Sequence, residues 1–115
     1  ADPEVRLRAL VAFHVDFAVR SEDVIRVQDR DMASLTPGDR HEVRRMQREY
    51  VELWVGVLGA VRPEDSPARS RVRAHATFGL INSTPHSARA AGVAPDRGEV
   101  RGILAAMALA ALRAA

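Results

Sequence analysis

Cysteine is absent, and so is lysine: all 17 basic residues are arginine. Without cysteine there is no disulfide framework and no thiolate metal site. Without lysine the computed isoelectric point climbs to about 10.3 although the net charge is only +2. The arginines alternate with Asp and Glu, as in RSEDVIRVQDRD, which marks solvated helix faces rather than a nucleic-acid patch. No apolar run is long enough to span a membrane, and the N-terminal ADPEVRLRAL lacks the shape of a signal peptide, so a cytoplasmic location is expected. Aromatic residues are few, with one Trp, one Tyr and three Phe. No segment alternates polar and apolar residues as a strand does, and nothing repeats.

What is present is helical. Apolar residues make up 47% of 115 positions, enough for one globular core. The organising stretch is Tyr50 to Val61, YVELWVGVLGAV, where only Glu52 is charged. Val43, Met46, Tyr50, Leu53, Trp54 and Val57 fall on one broad face at helical spacing, and beyond Tyr50 the opposite face is apolar too. This predicts a helix from Pro37 to Val61 that starts in water and ends buried on all sides.

Start signals recur along the chain. Asp2-Pro3, Thr36-Pro37 and Ser66-Pro67 each place a capping acceptor before a proline at the first helical position. Asp96 with Glu99 forms a capping-box pattern. These signals predict helices from Pro3 to about Val19, from about Glu22 to Leu35 (capped by Ser21), from Pro37 to Val61, from Ser66 to near Ser83, and from Asp96 to Arg113. A loop is expected from Pro85 to Pro95. The expected fold is a single all-α domain over residues 1–115, a five-helix bundle.

Two groups of residues stand out. Phe13, His14, Phe17, Met32, Met46, Tyr50, Leu53 and Trp54 bring aromatic and Met side chains toward one region among the first three helices. Such a face lines either a filled core or a cavity for an apolar ligand. His14 accordingly reads either as a hydrogen-bond donor to that ligand or as a core histidine. The second group is the stripe Ala68, Val72, Ala76, Gly79 and Ser83, small enough for a second helix to approach closely. With Ile103 and Met107 on the last helix it is a candidate dimer interface.

No constellation suits catalysis. Ser83 and His86 have no nucleophile elbow and no orienting carboxylate, and the cluster Asn82-Ser83-Thr84-Pro85-His86 reads as a helix end. His14, His41, His75 and His86 share no ligand spacing, so no metal is expected. No phosphate-binding loop or other cofactor motif is present.

The runs VIRVQDRDMASLTPGDRHEVRRMQREYVELW and RVRAHATFGLINSTPHSA resemble the C-terminal half of TetR-family transcriptional repressors, particularly actinobacterial members that control lipid or steroid breakdown. The resemblance covers nearly the whole chain. It implies a ligand-sensing domain that forms a homodimer through its last two helices. It also implies an apolar effector, lipid-like or an acyl thioester of the acyl-CoA type, and three DNA-reading helices that are not in this chain. DNA would then be bound only through that absent N-terminal domain. A helical homodimeric interaction module without a small-molecule ligand is the alternative.

Overall fold

The computed structural model describes residues 2–20, 34–90 and 96–115, the side chains of 85–90 excepted. Four helices lie among them: α1 (Pro3–Arg20), α2 (Pro37–Val61), α3 (Pro67–Ala90) and α4 (Arg97–Leu112). No described residue is in a strand. The helix expected from Glu22 to Leu35 falls almost wholly outside the described residues, and so does Met32.

Each helix begins where a side chain supplies the acceptor that its first turn lacks. Asp2 Oδ1 accepts from the Glu4 amide at 3.1 Å, Thr36 Oγ1 from Asp39 at 3.1 Å and Ser66 Oγ from Arg69 at 3.2 Å. Asp96 accepts from Gly98 and Glu99 at 3.1 and 3.4 Å. A cap contributes about 1 kcal/mol. Fully burying one large aliphatic side chain contributes about 1.5–3 kcal/mol. Caps therefore place the boundaries, and the core holds the bundle together.

The helices pack in a ring, α1 on α2, α2 on α3, α3 on α4 and α4 on α1, with α1 and α3 also meeting across the middle. The core takes Leu7, Val11, Val15 and Ala18 from α1 and Trp54, Val57 and Leu58 from α2. Ala74 and Ile81 come from α3, and Leu104, Ala108 and Leu112 from α4. Valine and alanine dominate the α1 contribution, which lets α1 sit close to three neighbours at once. The expected inner face of α1, Leu10, Phe13, His14 and Phe17, is thus rotated: His14 is buried, but Phe13 is 62% exposed.

Two further expectations are corrected. The second half of α2 is not buried on all sides. Trp54 is fully enclosed, yet its neighbour Leu53 is 46% exposed, and Gly56 and Ala60 face solvent. The reason is the ring, in which α2 packs on α1 and α3 and leaves its outer side uncovered. The second correction concerns α3, which does not end near Ser83 but runs through Pro85 to Ala90. Pro85 has no N–H to give the carbonyl one turn earlier. The hydroxyls of Ser83 and Thr84 donate to the carbonyls of Gly79 and Leu80, so the turn before the proline is held by side chains. Ser83 is consequently part of the helix body.

An ion cluster closes the far end. Asp65, in the α2–α3 connection, pairs with Arg73 Nε at 2.8 Å and Arg62 Nε at 3.2 Å, with Arg69 at 3.8 Å. Arg73 and Arg62 also donate to the Ala114 and Leu112 carbonyls, tying the connection to the end of α4. Burial works against the charged form of Asp65, but the Arg73 hydrogen bond and the charges of Arg73, Arg62 and Arg69 outweigh it and hold the carboxyl below its usual range. A depressed carboxyl adds stability above its unfolded value, about 3.9, and that stability is lost as pH falls through the lower folded value. Asp65→Asn is expected to lower the thermal midpoint at pH 7. The gap to wild type should shrink as pH drops below the ordinary carboxylate range, as followed by circular dichroism.

Candidate functional site

Three helices contribute one polar side chain each to a single point. On α1, His14 lies one turn after Leu10 and Val11 and is buried against the core. On α2, Tyr50 lies one turn before Trp54. On α3, Asn82 lies one turn after Phe78. Asn82 Oδ1 can only accept, so His14 Nε2–H donates to it at 2.8 Å. The other ring nitrogen, Nδ1, is then free to accept from the Tyr50 hydroxyl, also at 2.8 Å. Both imidazole nitrogens are satisfied by the neutral tautomer.

Aromatic rings frame this chain of hydrogen bonds. Phe78 stacks on His14 with centroids 4.9 Å apart, and Tyr50 stacks on both at 5.7 Å. Trp54 meets Phe78 edge-on at 4.9 Å from beneath. Burial lowers the His14 pKa, opposed in part by the Asn82 hydrogen bond. Burial likewise raises that of Tyr50, and the Trp54 indole acts in the opposite direction. The indole N–H nevertheless makes no hydrogen bond of acceptable geometry and is a buried donor left unsatisfied.

Above the polar floor lies a groove of about 600 Å³. Its walls are apolar: Phe13 and Phe17 from α1, Val43, Met46 and Val51 from α2, and Phe78 from α3. A ligand here would rest an apolar body on those walls and find a hydroxyl, an imidazole and an amide beneath it. Ser83, on the same helix as Asn82, gives its hydroxyl proton to the Gly79 carbonyl. No group of three or more potential metal ligands occurs among the described residues.

Five of the eight residues read from the sequence as pocket candidates line this groove, namely Phe13, His14, Phe17, Met46 and Tyr50. Trp54 does not, because it is packed under the floor, and Leu53 turns to the outer side of α2. Met32 lies outside the described residues. Phe78, Asn82 and His75 belong to the site without having been singled out for it. The signal for the first two was the i,i+4 spacing of Phe78 and Asn82, obscured by reading Asn82 as the start of a helix end. The interface candidates Ala68, Val72, Ala76, Gly79, Ser83, Ile103 and Met107 are all exposed on the adjacent helices α3 and α4.

The model of the family described as "Tetracyclin repressor-like, C-terminal domain" matches residues 1–112. The chain belongs to that family. TetR-like C-terminal domains are parts of transcription regulators, generally dimerise and bind small-molecule effectors, and are typically non-enzymatic. No curated protein matches the chain. Within this TetR-like domain, no described helix is long and apolar enough to cross a membrane.

The buried neutral imidazole carries a pH signature. A histidine whose pKa is lowered by folding adds stability above its unfolded value, about 6.5, and that stability is lost as pH falls below it. The thermal midpoint is expected to fall between pH 7 and pH 5. His14→Gln, which cannot titrate, should remove that component and leave a flatter profile in differential scanning calorimetry.

Proposed function

We propose that this chain is the effector-sensing and dimerising domain of a cytoplasmic transcriptional repressor and catalyses nothing. The observation that carries this reading is the groove with aromatic walls and a floor formed by Tyr50, His14 and Asn82. The floor joins three helices. A ligand that engages Tyr50 or Asn82 changes how α1, α2 and α3 sit against one another, and this differential contact is what shifts a conformational equilibrium. DNA would be read by an N-terminal domain preceding Ala1, and effector binding would alter the spacing of two such heads in a dimer. The effector is apolar, of fatty-acyl or acyl-thioester character.

One observation favours the alternative, a dimeric interaction module without a ligand: Trp54 is fully packed and does not line the groove. Its neighbour Tyr50 separates the two readings. Titration with long-chain acyl compounds should change tryptophan fluorescence, because Trp54 touches Tyr50 and Phe78 at the groove floor. Tyr50→Ala should weaken that response. If acyl chains neither perturb Trp54 nor raise the thermal midpoint, the effector reading fails and the module reading stands.

Dimerisation rests on the exposed faces of α3 and α4. Val72 is 68% exposed, and Ile103 and Met107 are also open to solvent, beside the small stripe Ala68, Ala76, Gly79 and Ser83. A two-fold axis would let each copy cover the other's apolar face, burying on the order of 2,000 Å². Gly79 gives a test whose sign depends on the answer. In the single chain nothing lies within 4 Å of an added Cβ there, so a side chain at position 79 starts into open space. Across a close helix contact the same change should overpack the interface by roughly 1–3 kcal/mol. Light scattering at micromolar concentration should show a dimer for the unmodified domain and dissociation for the variant. A stable monomer would overturn the dimer.

A further inference from the structure

A second groove, of about 400 Å³, adjoins the first on the outer side of α2 and α3. The two share Gln47, Val51 and His75, so they are one continuous depression with an apolar end and a charged end. At the charged end stand Arg44 and Arg48, one turn apart on α2, and Arg71 on α3, with Glu52 the carboxylate among the described lining. Arg71 is held over the groove by Glu52, with Nε and Nη2 at 3.0 and 2.6 Å from Oε1. Arg44 and Arg48 pair with no carboxylate among the described residues, whereas the other two arginines of α2 are engaged, Arg45 with Glu42 and Glu49 and Arg40 with the Leu35 carbonyl.

Like charges one helical turn apart repel. Here two such guanidinium groups face a third across the groove, and one carboxylate offsets them only in part. A bound anion relieves that excess. Guanidinium forks suit phosphate and carboxylate oxygens, and the surplus of positive charge favours a dianion. We infer that the occupant is an amphiphile whose apolar chain lies between Phe13, Met46 and Phe78 and whose phosphate-type dianionic head sits on Arg44, Arg48 and Arg71. This deepens the effector reading and rests on it.

The test compares decyl phosphate, decanoate, decanol and inorganic phosphate by isothermal titration calorimetry, each below its aggregation concentration. Decyl phosphate should bind about tenfold or more tightly than decanol or decanoate, in keeping with charge-assisted bonds that the others make fewer of or none. Inorganic phosphate should bind far more weakly than decyl phosphate. Arg44→Ala with Arg48→Ala should erase the preference while leaving decanol binding unchanged. Glu52→Gln, which removes the opposing carboxylate, should tighten decyl phosphate and not decanol. The advantage should also shrink as salt rises.

Decanol binding as tightly as decyl phosphate would overturn the head-group site and leave the apolar groove standing. Decanoate matching decyl phosphate would overturn the dianion. Binding of decyl phosphate unaffected by the two alanines would place the head elsewhere and overturn the assignment. If no ten-carbon chain binds, the effector reading itself falls and the inference with it. All three substituted residues are exposed, and circular dichroism of the variants verifies that they fold.

Discussion

A buried imidazole must be satisfied on both nitrogens or pay for each one left bare, and His14 meets that demand only through partners on two other helices. This requirement sets the relative placement of α1, α2 and α3. Tyr50 reaches His14 only if α2 crosses α1 at that level, and Asn82 reaches it only if α3 continues as a helix through the turn before Pro85. The floor of the groove follows from these two contacts. The walls follow from the fact that Phe13, Phe17, Met46 and Phe78 lie within one turn of the three residues.

The two ends of the domain are stabilised by different physics. Around Asp65, charge holds the α2–α3 connection to the end of α4 through Arg62 and Arg73. The side chains that make those contacts are largely shielded from water. Around His14, neutral hydrogen bonds and stacked rings hold three helices beside an open groove. A ligand competing for Tyr50 or Asn82 exchanges one hydrogen bond for another at small net cost. Charge thus fixes one end of the domain, and neutral hydrogen bonds with stacked rings fix the other.

The site was partly legible because the side chains of α1 and α2 announce themselves by type. A histidine between two phenylalanines, and a Met–Tyr–Trp series at helical spacing, mark a place where large rings converge. Asn82 was not legible in the same way. Its neighbours Ser83, Thr84 and Pro85 all favour a break locally, and only the burial of Ile81 and the bond to His14 show why the helix continues past them. The inner face of α1 was misjudged for a related reason. Phenylalanine carries the larger hydrophobic payload, but the space between α1, α3 and α4 fits valine and alanine.

By itself the sequence determined the helical class and the starting points of α1 to α4, because a cap and a proline act within three residues of themselves. It also determined that no lysine or cysteine chemistry is available. The tertiary structure alone decided which side of each helix faces inward, that Leu53 faces outward while Trp54 does not, and that Tyr50, His14 and Asn82 meet. Those outcomes depend on separations of 36 and 68 residues along the chain. No local preference spans such distances. They are set by how the four described helices close into a ring around one core.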